Sequence, residues 1–65
     1  MQWDNGKEGV FVGRDGQRIA ARVVKELKTW EWASYKGGWT HDSGSEATFA
    51  DACAAAEKSV QSIQQ

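Results

Sequence analysis

The residues that could support catalysis are few and lie close together in the sequence. His41, the only histidine, is followed by Asp42, Ser43 and Ser45, which are the residue types of a hydrolytic triad. A triad requires its nucleophile, base and orienting acid to meet at a cleft, and a chain of 65 residues builds one small core with little concavity. We therefore interpret His41 as a half-exposed strand residue and expect that the protein is not an enzyme.

Other reactive or ligand-binding residue types are equally sparse. The single cysteine, Cys53, falls on the apolar stripe of a predicted helix, where a small buried hydrophobe is the expected role rather than a nucleophile. One cysteine and one histidine cannot supply the four ligands of a structural zinc, and one cysteine cannot form an intramolecular disulfide. The early glycines precede no phosphate-binding Gly-Lys-Ser/Thr sequence. The sequence thus predicts no metal and no other cofactor.

The element with the strongest pattern is a C-terminal helix over about residues 48–63. Thr48 stands where an N-cap belongs, and Asp51 places a carboxylate near the positive end of the helix dipole. Five alanines within residues 50–56 favour the helix and let it lie close to a sheet that carries bulky tryptophans. The predicted apolar stripe recurs at three- and four-residue steps and consists of Phe49, Ala52, Cys53, Ala56, Val60 and Ile63.

A first hairpin is predicted around a type I′ turn at Asp15-Gly16. This register sets Val12 opposite Ile19 and Val10 opposite Ala21. Because side chains alternate between the two faces of a strand, this register gives the hairpin one apolar face, which we expect to lie against the core. Phe11, Arg18 and Arg22 are then expected to point outward. The predicted core side comprises Val10, Val12, Ile19, Ala21, Val23 and Leu27.

The stretch from Arg18 to Lys28 also fits one stripe of a helix. The run Arg22-Val23-Val24 favours a strand, and a strand gives the preceding valines a local partner. We therefore prefer the strand.

A second hairpin is predicted around Gly37-Gly38, with Trp30 and Trp32 on the core side of its first strand. The strands together cover about residues 8–43, and the whole chain, residues 1–65, is expected to form one domain. The predicted fold class is α+β: a three- to four-stranded antiparallel sheet, made of two hairpins, packed on one C-terminal helix.

Two surfaces of this fold are candidates for binding a partner. On the outward side of the sheet, arginine and aromatic side chains come together, and these types are enriched at protein interfaces and also stack on bases. On the helix, two carboxylates form an acidic side. A solvated surface with cross-strand ion pairs is the alternative. The predicted partner-binding residues are Phe11, Arg18, Arg22 and Tyr35 on the sheet and Asp51 and Glu57 on the helix.

The segment from about residue 29 to residue 58 resembles small accessory proteins of phages and mobile elements. The resemblance lies in Trp30-Glu31-Trp32, the connector glycine Gly44 and the run Thr48 to Glu57. It implies a compact inhibitor that binds a host protein or a nucleoprotein complex, such as a CRISPR effector, in the bacterial cytoplasm. Anti-CRISPR proteins are one such class.

The order of sheet and then helix is also similar to plant ethylene-response-type and integrase arm-type DNA-binding domains. That similarity implies an alternative function, weak DNA binding through the sheet. Glu26, Glu31 and Asp42 interrupt the basic residues, and the net charge is −1, so counterion release would add little affinity. No apolar run approaches the roughly 20 residues of a membrane span, so no membrane partner is expected. Self-association through an edge strand or surplus tryptophan surface is a third hypothesis.

Overall fold

The structure is a computed structural model that describes residues 1–63 of the 65. The strands form one antiparallel meander in the order β1-β2-β3-β4-β5, and α1 packs on β3, β4 and β5. The α+β class and the C-terminal helix are confirmed, but the sheet has five strands rather than three or four. The elements are β1 (Gln2–Lys7), β2 (Val10–Asp15), β3 (Arg18–Lys25), β4 (Trp30–Lys36), β5 (Trp39–Glu46) and α1 (Phe49–Ile63).

The strand missing from the prediction is β1. Its sequence is polar apart from Trp3 and lacks the alternation that marks a half-buried strand. It forms because it pairs along β2, with Trp3 opposite Gly13. The pairing, rather than local propensity, makes this segment a strand.

The β2–β3 hairpin has a different register from the predicted one. Asp15 pairs with Arg18, so the turn residues are Gly16 and Gln17 rather than Asp15 and Gly16. Gly16 has a φ of 70°, and no residue other than glycine has a positive φ among residues 1–63. A positive φ at the first central position alone is the pattern of a type II′ turn, not type I′.

A β-bulge then shifts β3 by one residue. Gly13 pairs with Ala21 and Arg14 pairs with Ile19, which leaves Ala20 without a partner on β2. An extra residue reverses the face of every side chain on one side of it. The predicted core side was therefore partly wrong: Ala21 and Val23 face α1, whereas the side opposite α1 holds Val10, Val12 and Ile19.

The loop between β3 and β4 accounts for a further error. Leu27 was predicted to lie on the core side, but it falls within the connection after β3 and is 100% exposed. The strand interpretation of the stretch from Arg18 is confirmed up to Lys25, where β3 ends. The second hairpin is also confirmed, because Lys36 pairs with Trp39 around Gly37-Gly38 and both glycines have a positive φ.

The core is made of small side chains. Ala21 on β3 and Ala52 and Ala56 on α1 are fully buried, so the helix lies close to the sheet. Ser34 and Ser59 are buried between the two layers, and their hydroxyls share a hydrogen bond of 2.7 Å, which satisfies both polar groups. At the start of α1, the Thr48 hydroxyl accepts the Asp51 N–H at 3.1 Å, confirming the N-cap.

Two tryptophans close this core on opposite sides. Trp3 lies over its cross-strand partner Gly13, and Trp32 lies over its partner Gly44. The indole N–H of Trp3 donates to a Glu57 carboxylate oxygen at 2.7 Å, and that of Trp32 donates to Glu46 at 3.4 Å. Each indole thus spreads over a strand position that has no side chain and holds its polar atom on a carboxylate.

Three aromatic rings fill the end of the core near the start of α1. The ring centroid of Phe49 is 4.5 Å from that of Phe11 and 5.1 Å from that of Trp30. Lys25 Nζ lies 5.8 Å from the Trp30 ring. The predicted outward position of Phe11 was therefore wrong, while the predicted core side of Trp30 and Trp32 is confirmed.

The close contact between Trp32 and Gly44 leads to a test of the core. A methyl group on Gly44 would lie 3.0 Å from three atoms of the indole, which is held by its hydrogen bond and by packing. We expect Gly44→Ala to lower the free energy of unfolding by about 1–3 kcal/mol, measured by urea denaturation with tryptophan fluorescence. Gly6→Ala is the matched control, because nothing lies within 4 Å of the added methyl. Equal stability of the two variants would contradict this packing.

Candidate functional site

The side of the sheet that faces away from α1 is the candidate site, and we call it the outer face. Within residues 1–63 no element covers it. Its position follows from the register, since Ala21, Val23 and Trp32 point to α1 and their strand neighbours must point away. The central residues of the outer face are Val10 and Val12 on β2, Arg22 and Val24 on β3, and Glu31 and Ala33 on β4.

A groove of about 570 Å³ runs over β3, β4 and β5 on the outer face. Val24 and Ala33 form its apolar part, and Ser43 and Ser45 of β5 line its far side. The uncovered face of an antiparallel sheet usually presents mostly polar side chains to water. Here Val10 pairs directly with Val24, so a half-buried apolar strip continues from the groove onto β2.

Two opposite charges stand in the groove. Arg22 pairs with Ala33, and Glu31 pairs with Val24, so the charged residues occupy diagonal corners of a four-residue patch. Neither forms an ion pair with another residue of the described range 1–63, whereas Arg14 Nε lies 3.1 Å from Asp4 Oδ2, nearer the sheet edge. The alternative interpretation of this surface, in which cross-strand ion pairs neutralise its charges, therefore does not hold for Arg22 and Glu31 among the described residues, and both charges are available to another molecule.

The structure brings together only two of the four predicted sheet residues. Arg22 and Tyr35 lie on the outer face. Phe11 packs against Phe49 on the side of α1. Arg18 pairs with Asp15 beyond the bulge, which puts its register position on the side of α1 as well.

The two predicted helix residues are also separated. Asp51 is exposed in the first turn of α1. Glu57 is half-buried and accepts the indole N–H of Trp3, so its carboxylate already stabilises the fold. Of these two helix residues, only Asp51 therefore presents an exposed carboxylate to a partner, whereas the sequence predicted an acidic surface formed by both.

Sequence reasoning missed Val24, Glu31 and Ala33 as a site because it placed the valines of β2 in the core. The core side predicted for Trp30 and Trp32 is correct, and the register leaves Glu31 and Ala33 on the outer face. In the structure the bulge is visible as two consecutive fully buried residues, Ala20 and Ala21, which a regular half-buried strand does not have; the sequence alone does not show their burial.

The residues considered for catalysis lie apart from this groove or lack triad geometry. His41 is the unpaired residue of a bulge in β5 and is exposed. Asp42 is exposed too, and its Oδ1 accepts the backbone N–H of Ser43 at 2.9 Å rather than orienting the histidine. Among residues 1–63 no three or more His, Cys, Asp or Glu side chains are grouped as metal ligands would be.

Cys53 is half-buried on α1. Burial raises the pKa of its thiol above the usual range, and the negative charge of Glu57, one turn further along, adds to the rise. A nucleophilic cysteine requires a lowered pKa, so this environment suits a packing role.

No protein-family model matches the sequence, and no curated protein or solved structure is significantly similar to it. In the described part of the chain, no helix has the length and apolar character needed to cross a membrane.

The raised pKa of Cys53 makes alkylation slow at mildly alkaline pH. We expect Glu57→Gln to react faster with iodoacetamide, because the neighbouring negative charge is removed while an amide oxygen still accepts from Trp3. Asp51→Asn is the control, since Asp51 does not contribute to the shift. Unchanged alkylation in Glu57→Gln would contradict the electrostatic cause.

The same shift links stability to pH. The folded state holds the thiol proton of Cys53 more tightly than the unfolded state. The stability that this difference contributes is fully present below the ordinary cysteine pKa, and it is lost as the pH rises through the raised pKa of the folded state. We expect Cys53→Ala to remove that part of the alkaline loss of unfolding free energy, measured by urea denaturation at several pH values.

Proposed function

We propose that this protein is a non-enzymatic interaction module that binds another protein through its outer face. The observation that carries the proposal is a half-apolar sheet surface, uncovered within residues 1–63, with Arg22 and Glu31 unpaired in its groove. Arginine beside apolar side chains is typical of the centre of a protein interface.

The charge pattern of the outer face favours a protein over DNA as the partner. Arg22 is accompanied in the groove by Glu26 and Glu31, whereas a phosphate backbone is bound by several cations that act together. Arg14, the other arginine on this side of the sheet, already pairs with Asp4. We therefore do not argue for weak DNA binding as a second function. It is the alternative result that the experiment described below can give.

The resemblance to phage accessory proteins suggests the class of molecule to which that partner belongs. We propose a bacterial host protein or nucleoprotein complex whose surface is occupied, and thereby blocked, in the host cytoplasm. The groove is partly open rather than an enclosed cavity, and this openness favours the surface of a folded protein over a small ligand, which is usually enclosed on most sides.

The test compares two arginines that differ in position rather than type. Arg22 lies on the outer face and Arg18 does not, so we expect Arg22→Glu to weaken capture of a bacterial partner at least about tenfold, as loss of an interface hot spot does. Arg18→Glu should bind like the wild type. Both variants are checked by circular dichroism and by pull-down titration against the captured protein.

Two results would overturn the proposal. Equal loss of binding in both variants would point to total charge rather than to the outer face. A gel shift of duplex DNA at low salt that disappears with added salt, without capture of any protein, would support the DNA-binding alternative instead.

A further inference from the structure

We infer that the outer face is complementary to itself and pairs with the outer face of a second copy to form a symmetric dimer. The inference rests on the proposed function, since both require that the outer face is an interaction surface. It names one partner whose surface is known: the same residues on another copy of this chain.

The diagonal placement of the two unpaired charges carries the argument. Arg22 and Val24 are alternate residues of β3, and Ala33 and Glu31 are their respective partners on β4. A twofold axis that runs within the interface along the line from Val24 to Ala33 exchanges the two remaining corners. It therefore sets Arg22 of each copy opposite Glu31 of the other, forming two equivalent ion pairs.

The apolar residues occupy the positions that such an axis requires. Val24 and Ala33 lie on the axis, and each meets its own counterpart in the second copy. Val10 and Val12 extend the apolar surface on the β2 side. Burial of valine and alanine supplies attraction, while the paired charges determine the orientation.

The size of the surface predicts a weak dimer. Five strands about 4.8 Å apart and about seven residues long present a face of roughly 20 by 24 Å. Its area of roughly 500 Å² lies below the about 800 Å² per partner of a standard interface. We expect dissociation in the micromolar range and a four-layer assembly in which the two helices lie outside the two sheets.

A second copy and a different protein would bind the same residues of the outer face. Dimerisation and binding of another protein therefore compete with each other. The dimer therefore makes the outer face available only as the copies separate. Dilution, or a partner that binds more tightly, would expose it.

The experiment exploits the exchange of charges across the axis. Wild-type protein should shift from 7.2 kDa to twice that mass in sedimentation velocity between about 10 µM and about 1 mM. Arg22→Glu alone and Glu31→Arg alone each set like charges opposite one another, and we expect both to stay monomeric. An equimolar mixture of the two restores both ion pairs and should form a heterodimer, identified by native mass spectrometry.

Arg18→Glu serves as the control and should dimerise like the wild type. A second measurement does not depend on variant folding: on dilution of the wild type, amide chemical shifts should move in β3 and β4 and not along the exposed side of α1.

Wild-type protein that stays at 7.2 kDa throughout would overturn the dimer, and so would single variants that dimerise normally or a mixture that stays monomeric. None of these results removes the proposed function, which the capture experiment with Arg22→Glu decides on its own.

Discussion

The close approach of α1 to the sheet is the constraint on which the rest of the structure depends. Fully buried alanines, Ala21 on β3 with Ala52 and Ala56 on α1, bring the helix close to the sheet, and the largest side chain fully buried among residues 1–63 is only a valine, Val23. The bulky residues are therefore displaced to its flanks, where Trp3 and Trp32 lie over glycines of neighbouring strands. A chain this small gains little from its centre alone. The tryptophans supply much of the apolar burial, and their hydrogen bonds to carboxylates on α1 and β5 hold them in place.

This arrangement concentrates the aromatic residues on one side of the sheet. Phe11, Trp30 and Phe49 pack together there, so the outer face carries mainly β-branched and charged residues, with Tyr35 as an aromatic residue on that side. One helix covers only one face of a sheet, and the opposite face is left to water or to another molecule. A strip of valines with two unpaired charges is less suited to water than the polar face usual for such sheets.

The helix, its cap and the second hairpin were predicted correctly, whereas the first hairpin turn, the bulge in β3 and the strand β1 were not. The helix and its Thr48 cap depend on neighbours in the chain, and the turn at Gly37-Gly38 depends on two glycines with positive φ. By contrast, β1 exists because β2 offers a partner edge, and its own residues carry little signal. Of the residues predicted to lie on the outward side of the sheet, Arg22 and Tyr35 do lie there. Phe11 and Arg18 were misplaced because one bulge reversed the alternation between them and their neighbours.

That bulge links the packing of the core to the character of the outer face. Without it, the turn at Gly16-Gln17 would direct Val10 and Val12 toward α1 and Phe11 away from it. The bulge instead packs Phe11 against Phe49 and Trp30, and turning Gly13 inward makes room for Trp3. The extra residue Ala20 achieves both changes at once. It also moves Arg18 to the side of α1 and leaves Arg22 on the outer face, where Glu26 and Glu31 line the same groove. A regular strand would have put Phe11 and Arg18 on the outer face; the bulged strand puts Val10 and Val12 there and packs Phe11 against Phe49 on the side of α1.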